Sequence, residues 1–406
     1  MKKLFTILLC FTILLSAFAQ EDVRSMGIGG YHVTDTGDIY TLLKNPASLA
    51  FADKHNLWLN LQIGANGPLE KYVEIGYPII DELMNSSNDE TQDEQPDETQ
   101  NEQPDETTDS ESMNIEQEII NIVKENNGLA TGLNLVGPLN FGFSKNGFGF
   151  LFTEELFVDA NIPSISGGSL NVGLDASLLL GYGHKLQLGK NHNLSIGVSG
   201  GIISRAVNVG ITGSITEIID TVNALSDNIE NLPVTSMLGY TVNAGLHYNF
   251  ANFISVGATY NNILSTTKTI DVPLNEEELQ IDFSEGLKSK LEPSLAVGVG
   301  IKIPTNFTLG IISSWTAYID HENVLDLFAK DQLVKNPILG LNAGTEIVLL
   351  NFISLRAGIN ESYLSAGVGL RLWALNIDAA VYGSELGIEP GAKPNLNAAF
   401  SISFKR

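Results

Sequence analysis

Cysteine and long hydrophobic runs are the two features that this sequence most lacks. Cys10 is the only cysteine in 406 residues, and it lies in the apolar start of the chain. The remainder therefore has no disulfide, no thiolate metal site and no cysteine nucleophile. After residue 19, no stretch approaches the roughly 18 consecutive apolar residues that indicate a membrane-spanning helix. If this chain crosses a membrane, we expect a closed β-barrel, the other fold that satisfies every backbone group in lipid.

Positive charge is also scarce. The chain has 22 Lys and Arg against 47 Asp and Glu, for a net charge of −25. This balance argues against nucleic acid as a partner, because phosphates require a basic surface. Between Asp81 and Glu111 there are 13 Asp or Glu and no Lys or Arg, so much of the negative charge is local.

The acidic stretch contains an eight-residue tandem repeat at 92–99 and 100–107. Such a composition cannot bury enough apolar surface to offset chain entropy, so we expect a solvated, disordered insertion over 84–112. A Ca²⁺ site is the alternative, since carboxylates are calcium ligands. The stretch lacks the glycine-bearing loop of fixed ligand spacing that such a site uses.

Catalytic and metal-binding patterns are weak. None of the six histidines belongs to a His-x-x-x-His or Glu-x-x-His pair. The glycine-rich residues 26–30 lack the Gly-x-Gly-x-x-Gly spacing of a phosphate-binding turn. We therefore expect neither an enzyme nor a bound metal or cofactor.

The first residues are typical of a secretory signal. Lys2 and Lys3 precede an apolar run, and Ala17-Phe18-Ala19 fits the cleavage pattern, so residues 1–19 are predicted to be removed before Gln20. A membrane anchor is one alternative, but the run is shorter than the roughly 20 residues of a spanning helix. Lipid attachment at Cys10 is another, but no small residue precedes that cysteine.

The main positive signal is an alternation with a period of two, as in residues 240–249. This period places one set of side chains on each face of a sheet. The second face is rich in Gly, Ser and Asn, which suits a lumen behind a lipid-facing wall. Fourteen such strands are predicted, at 56–64, 131–143, 147–158, 169–184, 193–204, 236–249, 252–264, 292–303, 306–318, 337–348, 352–360, 362–371, 374–383 and 395–405.

The connections between these strands mostly alternate between short and long, as in outer-membrane barrels with tight periplasmic turns and long external loops. An even strand number returns both ends to the periplasm, and the acidic repeat then lies outside the cell. Segments 352–360 and 362–371 nearly abut, which breaks the trend. A secreted β-sandwich or solenoid is the alternative, although several strands are longer than the usual 5 or 6 residues.

Charged residues on the predicted inward faces are few. They are Asp175, Arg356, Arg371 and Asp378. Two interpretations stay open, a lumenal ion-pair network that stiffens the barrel and a transport relay.

Three amphipathic segments are predicted in the external loops. They carry Ile215, Ile218, Ile219, Val222 and Leu225 after a capping box at Ser214; Ile115, Ile119, Ile120 and Val123; and Val324, Leu325, Leu327 and Phe328. Their apolar faces either pack against each other or leave a hydrophobic ligand groove.

Asn45-Pro46-Ala47, followed by Ser-Leu-Ala just before the first strand, resembles the N-terminal signature of the FadL/OMPP1/TodX group. The group transports long-chain fatty acids and other hydrophobic compounds across the outer membrane. The run from Leu355 to Ala380 is also similar to the related PorV-like branch. The resemblance spans nearly the whole mature chain, and fourteen is also the strand number of the family.

The resemblance implies that residues 20–54 form a lumenal hatch and that residues 55–406 form the barrel. It implies a monomer in outer-membrane lipid that passively carries a fatty acid or similar molecule when the hatch, with Asn45, Pro46 and Ala47, moves. A barrel of fourteen strands is too wide for its own side chains to fill, which independently favours a plug. The alternatives are a docking component for secretion and a surface adhesin without transport.

Overall fold

The computed structural model describes residues 22–36, 40–51, 56–69, 117, 119–125, 128–223, 234–272, 286–328 and 335–406. The predicted signal at 1–19, the whole acidic insertion at 84–112 with its repeat, Ile115 and Leu225 lie outside the described residues.

Fifteen antiparallel strands are described, and fourteen of them form a closed wall. They are β1 (Asn56–Asn66), β2 (Leu129–Lys145), β3 (Phe148–Ser164), β4 (Gly167–Gly189), β5 (His192–Gly213), β6 (Val234–Phe250), β7 (Ile254–Val272), β8 (Leu287–Ser289), β9 (Ser294–Ile303), β10 (Ile312–His321), β11 (Leu341–Leu349), β12 (Ile353–Asn360), β13 (Tyr363–Leu372), β14 (Leu375–Glu385) and β15 (Pro394–Lys405). The short β8 pairs only with the outer part of β7. Because β1 pairs with β15 and β7 with β9, no wall strand is an edge. The prediction of a fourteen-stranded barrel is confirmed.

Helices are short. They are α1 (Val23–Ile28), α2 (Thr41–Lys44) and α3 (Ile215–Asn223), with 3-10 helices at Pro46–Phe51, Asn306–Thr308, Asp326–Phe328 and Pro337–Gly340. Residues 119–125 are also helical. Within the described ranges, no helix has both the length and the apolar character to cross a bilayer.

The burial pattern of the wall is the reverse of that of a soluble protein. On β1, Leu59, Leu61 and Ile63 are exposed, whereas Asn60 and Gln62 between them are buried. Apolar side chains thus face outward and small polar ones face the lumen, which is the arrangement of a barrel in lipid. The chain is a multi-pass outer-membrane protein.

One end of the barrel carries short turns and both ends of the wall. β2 and β3 are joined by Asn146 and Gly147, whose φ values of 50° and 83° fit a tight hairpin turn. Asn56 and Lys405, where the wall begins and ends, lie at this end, which by the barrel rule is periplasmic. At the other end, Glu361 and Ser362 form a two-residue turn with φ values of 47° and 76°, so the abutting strands β12 and β13 do form a hairpin.

Several predicted strand boundaries were wrong. Strand β7 was expected to end at 264 but continues to Val272, and β5 was expected to end at 204 but continues to Gly213. The outer part of β7 carries Ser265, Thr267 and Lys268, so the apolar alternation fades there although the backbone pairing continues. The strand predicted at 306–318 begins only at Ile312, because a 3-10 turn occupies Asn306–Thr308.

The lipid-facing role of the outward side chains is testable at Leu61, in the middle of β1. Leu61→Arg places a charge near the bilayer centre and should lower the free energy of unfolding by about 2–4 kcal/mol. The measurement is denaturant unfolding in lipid vesicles, followed by Trp fluorescence. Leu309→Arg is the control, because Leu309 lies in the turn between β9 and β10 and is 94% exposed. An equal loss in both variants would contradict the assignment.

Candidate functional site

The interior of the barrel is occupied by the described residues 22–36 and 40–51, called here the lumenal segment. Its α1 packs against β11, β12, β13 and β14. Residues 33 and 34 lie against glycines of β7 and β9, and Pro46–Phe51 packs against β3, β4, β5 and β6. The segment therefore contacts most of the circumference of the wall.

Glycines of the wall allow the backbone of the segment to approach closely. The carbonyl oxygen of Ile28 lies against Gly344 and Gly358, and a Cβ atom on either glycine would overlap it. Gly27 lies in the same way against Gly367 on β13. The inner face of β11 to β13 is therefore shaped to receive α1.

The Asn45-Pro46-Ala47 turn is held on the opposite side of the lumen. The Asn45 amide Nδ2 donates to the carbonyl oxygens of Val33 (2.9 Å) and Leu246 (3.0 Å), and its Oδ1 accepts from the Ala47 amide (3.0 Å). Pro46 begins the 3-10 helix, which uses its fixed φ and missing N–H. Asn45 and Ala47 are fully buried.

The surface beneath this turn is a row of glycines on three neighbouring strands. Gly183, Gly197 and Gly245 are aligned in register on β4, β5 and β6. An added Cβ on Gly183 or Gly197 would meet the backbone of residues 46–50, and one on Gly245 would meet Asn45. Asn45, Pro46 and Ala47 thus lie against the inner face of the wall, and their predicted role as a movable hatch stays a prediction.

Charged side chains connect the segment to the wall. Arg24 pairs with Glu346 on β11 (Nη2 to Oε2, 2.8 Å) and with Asp35 of the segment (2.5 Å). Arg356 on β12 pairs with Glu346 (2.8 Å) and with Asp378 on β14 (2.6 Å). Glu346 is thus shared by one arginine of the wall and one of the segment.

A second buried cluster lies within the segment. The Lys44 ammonium pairs with Asp22 (2.6 Å) and approaches Asp35 (3.6 Å), and it also donates to the Ser25 hydroxyl. Burial alone would raise the pKa of Asp22, but the charge and hydrogen bond of Lys44 hold it below its ordinary value. Burial acts in the same way on Asp35, and there the charges of Arg24 and Lys44 hold the pKa well below its ordinary value.

Neutral and histidine contacts complete the attachment. His32 is fully buried, pairs with Asp320 on β10 (2.7 Å) and stacks on Tyr318, with 4.6 Å between ring centroids. The Tyr40 hydroxyl accepts from Asn60 on β1 (2.6 Å) and Asn140 on β2 (2.8 Å). The segment is therefore bonded to the wall on several sides.

The four predicted lumenal charges do not form one group. Arg356 and Asp378 belong to the Glu346 network, whereas Asp175 pairs separately with Arg205 on the neighbouring strand (2.8 Å). Arg371 lies at the periplasmic end and forms no ion pair with any residue that the structure describes. Sequence reasoning missed Arg24, Asp35, Lys44 and Glu346; the only available signal was the presence of three of these charges in a segment expected to be a plug.

The loop residues predicted to line a ligand groove are also separated. Ile215 of α3 packs with Ile162 and Val123, and Ile219 lies against the same cluster. The first two amphipathic segments therefore pack against each other and leave no groove between their apolar faces at this cluster of described residues. Leu325 and Phe328 are not among the described members of this cluster, and Phe328 is 77% exposed. In the described part of this third segment, residues 324–328, the structure has a 3-10 turn at Asp326–Phe328 rather than the amphipathic helix that the sequence predicts. Ile218 is buried and Val222 is exposed.

Two cavities lie on opposite sides of the lumenal segment. The first, of about 450 Å³, is on the periplasmic side and is lined by Trp58, Arg371 and Lys405 among others. The second, of about 380 Å³, faces the outer loops and is lined by residues such as Leu179 and Leu291. Asp22 and Tyr40 line both cavities. The segment thus separates an inner from an outer compartment.

A serine of the wall fits a catalytic sequence pattern but not its geometry. Gly197-Val198-Ser199-Gly200-Gly201 matches the Gly-x-Ser-x-Gly spacing of a nucleophile elbow. The elbow requires a turn between a strand and a helix, whereas these five residues lie inside β5. Ser199 instead accepts a hydrogen bond from Asn243. The match carries no catalytic meaning here.

The fold and the occupied lumen define a plugged outer-membrane β-barrel. Residues 174–405 match the family described as type IX secretion system membrane protein PorP/SprF, and the chain belongs to that family. No curated protein matches the sequence.

Among solved structures, the Pseudomonas putida toluene transporter TodX has 12% identity and a TM-score of 0.42, covering 97% of this chain and 98% of its own. The Ralstonia pickettii toluene transporter TbuX has 12% identity and a TM-score of 0.44, covering 97% and 99%. A Pseudomonas aeruginosa FadL homologue has 11% identity and a TM-score of 0.41, covering 96% and 99%. At these values, the likeness says nothing about the ligand of this chain.

Glu346 is the residue at which the attachment can be tested. Glu346→Gln removes the charge shared by Arg24 and Arg356, and breaking a buried ion pair should cost about 3 kcal/mol. We expect a lower free energy of unfolding and a higher ionic conductance in planar bilayers. Glu292→Gln, at an exposed position just before β9, should change neither. A Glu346→Gln barrel with wild-type conductance and stability would contradict the role of this network.

The lowered pKa of Asp35 predicts how the attachment depends on pH. A carboxyl whose pKa falls on folding stabilises the folded state above its ordinary pKa of about 3.9, and this contribution is lost as the pH falls further. Conductance should therefore be constant from about pH 8 to 5 and rise below about pH 4. Asp35→Asn should raise the conductance at neutral pH, whereas Asp220→Asn, at an exposed position of α3, should not. A conductance that rises between pH 8 and 5 would show that other groups control the segment.

Proposed function

We propose that this protein is an outer-membrane component of a type IX secretion system, in which the plugged barrel serves as an accessory or docking body. Membership of the PorP/SprF family is the observation that carries this proposal. We expect the secreted polypeptides to cross the outer membrane through a different protein.

The closed lumen supports an accessory role rather than a polypeptide conduit. Passage of a polypeptide would require the whole lumenal segment to leave, with loss of the Arg24–Glu346 and His32–Asp320 pairs. Buried pairs of this kind are costly to break one partner at a time. The cavities on the two sides of the segment are in the size range of small-molecule sites.

Passive, hatch-gated transport of a hydrophobic small molecule, such as a fatty acid, is the second candidate. The outer cavity favours it, because apolar side chains form part of its lining, namely Met26, Leu43, Leu179, Ile203 and Leu291. Glu322, beyond the end of β10, also lines this cavity, and burial raises its pKa to about 7. A carboxyl that is partly neutral at physiological pH disfavours apolar ligands less than a full charge does.

A reversible lock on the segment distinguishes the two candidates. A Cβ built on Gly27 lies 3.5 Å from the Ala380 Cβ, within the range of a disulfide, and 3.0 Å from the Gly367 Cα, so the backbone must shift by a few tenths of an ångström to admit it. With that shift, Gly27→Cys with Ala380→Cys should join α1 to β14, and the single variant Gly27→Cys shows the effect of the shift alone. In vesicles, oxidation of this variant should abolish uptake of a labelled fatty acid if the segment is a gate, and a reductant should restore it. The two single-cysteine variants are the controls.

The same variants are then placed in cells that lack the native protein. The accessory role predicts that absence of the protein lowers the amount of type IX-secreted proteins in the medium, while the oxidised lock secretes normally. Normal secretion without the protein would refute the accessory role. Equal uptake by empty and barrel-containing vesicles would refute the transport role for that ligand.

A further inference from the structure

The charge at the periplasmic end is opposite in sign to that of the chain as a whole. The described residues in the periplasmic turns and strand ends, at 144–149, 184–193, 249–254, 301–313, 349–353, 370–376 and 402–406, include seven Lys or Arg and no Asp or Glu. The whole chain has more than twice as many acidic as basic residues. The periplasmic end is therefore a local region of positive charge on an acidic protein.

Four of these cations point into the barrel opening and are called here the periplasmic mouth: Lys185, Lys302, Arg371 and Lys405. Arg371 and Lys405 line the periplasmic cavity. Lys185 lies over the Phe51 ring of the lumenal segment, 5.2 Å from its centroid. Lys302 lies on the same face of β9 as Gly298 and Gly300, and these two glycines lie against Val33 and Thr34.

The carboxylates of the periplasmic cavity do not neutralise the mouth. Asp378 and Glu346 are engaged by Arg356, and Asp22 by Lys44. The side chains of Arg371 and Lys302 form no ion pair within the described part of the chain. The charges of Arg371 and Lys302 are thus available to a ligand that approaches from the periplasm.

We infer that the periplasmic mouth is a docking site for an acidic, extended polypeptide segment of a periplasmic protein. Four cations spaced around an opening, with a polar cavity of about 450 Å³ behind them, suit several carboxylates presented along one chain. Trp373 in the neighbouring turn is 95% exposed and offers an apolar contact at the rim. Since the four side chains face the lumen rather than the lipid, a peptide fits them better than the headgroups of the surrounding leaflet.

This inference goes beyond the proposed function and does not depend on it, because the mouth would carry the same charge in a transporter. A ring of one sign also raises the association rate of an oppositely charged partner, and this effect falls with ionic strength.

The test uses the purified barrel in nanodiscs of zwitterionic lipid and a fluorescent poly-glutamate peptide as the probe. Lys185→Gln, Lys302→Gln and Arg371→Gln are combined in one variant, and Lys405 is left in place because it ends the last strand. The matched control combines Lys288→Gln, Lys290→Gln and Lys393→Gln, which remove the same charge at the outer end. The dissociation constant, measured by fluorescence anisotropy, should rise about tenfold in the mouth variant and stay unchanged in the control.

Several outcomes would overturn the inference. They are an equal loss of affinity in both variants, equal binding of a neutral Gly-Ser peptide, and no binding of poly-glutamate to the wild type. Repeating the measurement with anionic phospholipid in the disc tests the other ligand class. If that lipid displaces the peptide, the mouth binds headgroups and the peptide assignment is wrong.

A second measurement does not require the triple variant to fold. Asn376→Cys places a thiol in the lining of the periplasmic cavity, and a poly-glutamate peptide with a thiol-reactive end should become attached there. Ser294→Cys, in the outer cavity, is the control and should remain unmodified. Equal attachment at both positions would contradict binding at the mouth.

Discussion

The hydrocarbon core of a bilayer contains no water that could hydrogen-bond to a peptide group, and this constraint governs the rest of the structure. Each strand must find partners on both sides, which the pairing of β1 with β15 completes. Closure reverses the usual burial pattern, so Leu61 faces lipid and Asn60 faces the interior. It also creates a lumen that fourteen strands cannot fill with their own side chains. The lumenal segment is the consequence, because it occupies that space.

The segment is held by polar and charged contacts together with buried apolar side chains, among them Met26, Leu42 and Leu49. Burying Arg24 and Glu346 is costly in itself, so the pair contributes position more than net stability. The ion-pair partners of the segment lie on particular strands. The Ile28 carbonyl fits against Gly344 and Gly358 because neither glycine has a side chain. Together these contacts define one placement of the segment, which divides the lumen into an inner and an outer cavity.

The two ends of the molecule differ in charge, and this difference relates the lumen to its surroundings. At the outer end the described residues include the acidic Glu361, Glu385 and Glu389, and the sequence predicts that the repeat at 92–107 lies there as well. The periplasmic mouth is cationic, and Arg371 and Lys405 lie at the entrance of the inner cavity. A secretion component that meets periplasmic partners and a transporter that releases an acid would both use such an asymmetry. The two roles differ in whether the lumenal segment moves, because transport through the lumen requires its movement and docking does not.

The sequence by itself determined the class, the strand number and the inside-out pattern, because an alternation of period two is a local property that each strand carries alone. It also located Asn45, Pro46 and Ala47 in the lumen, through a resemblance. It could not assign partners: Arg356 and Asp378 were seen, but Arg24, more than 300 residues away, was not matched with Glu346. The register of β4, β5 and β6 aligns Gly183, Gly197 and Gly245 in one row. The Asn45-Pro46-Ala47 turn lies on this row only in the folded barrel. Such contacts arise from the tertiary structure alone, because they join residues that no local periodicity relates.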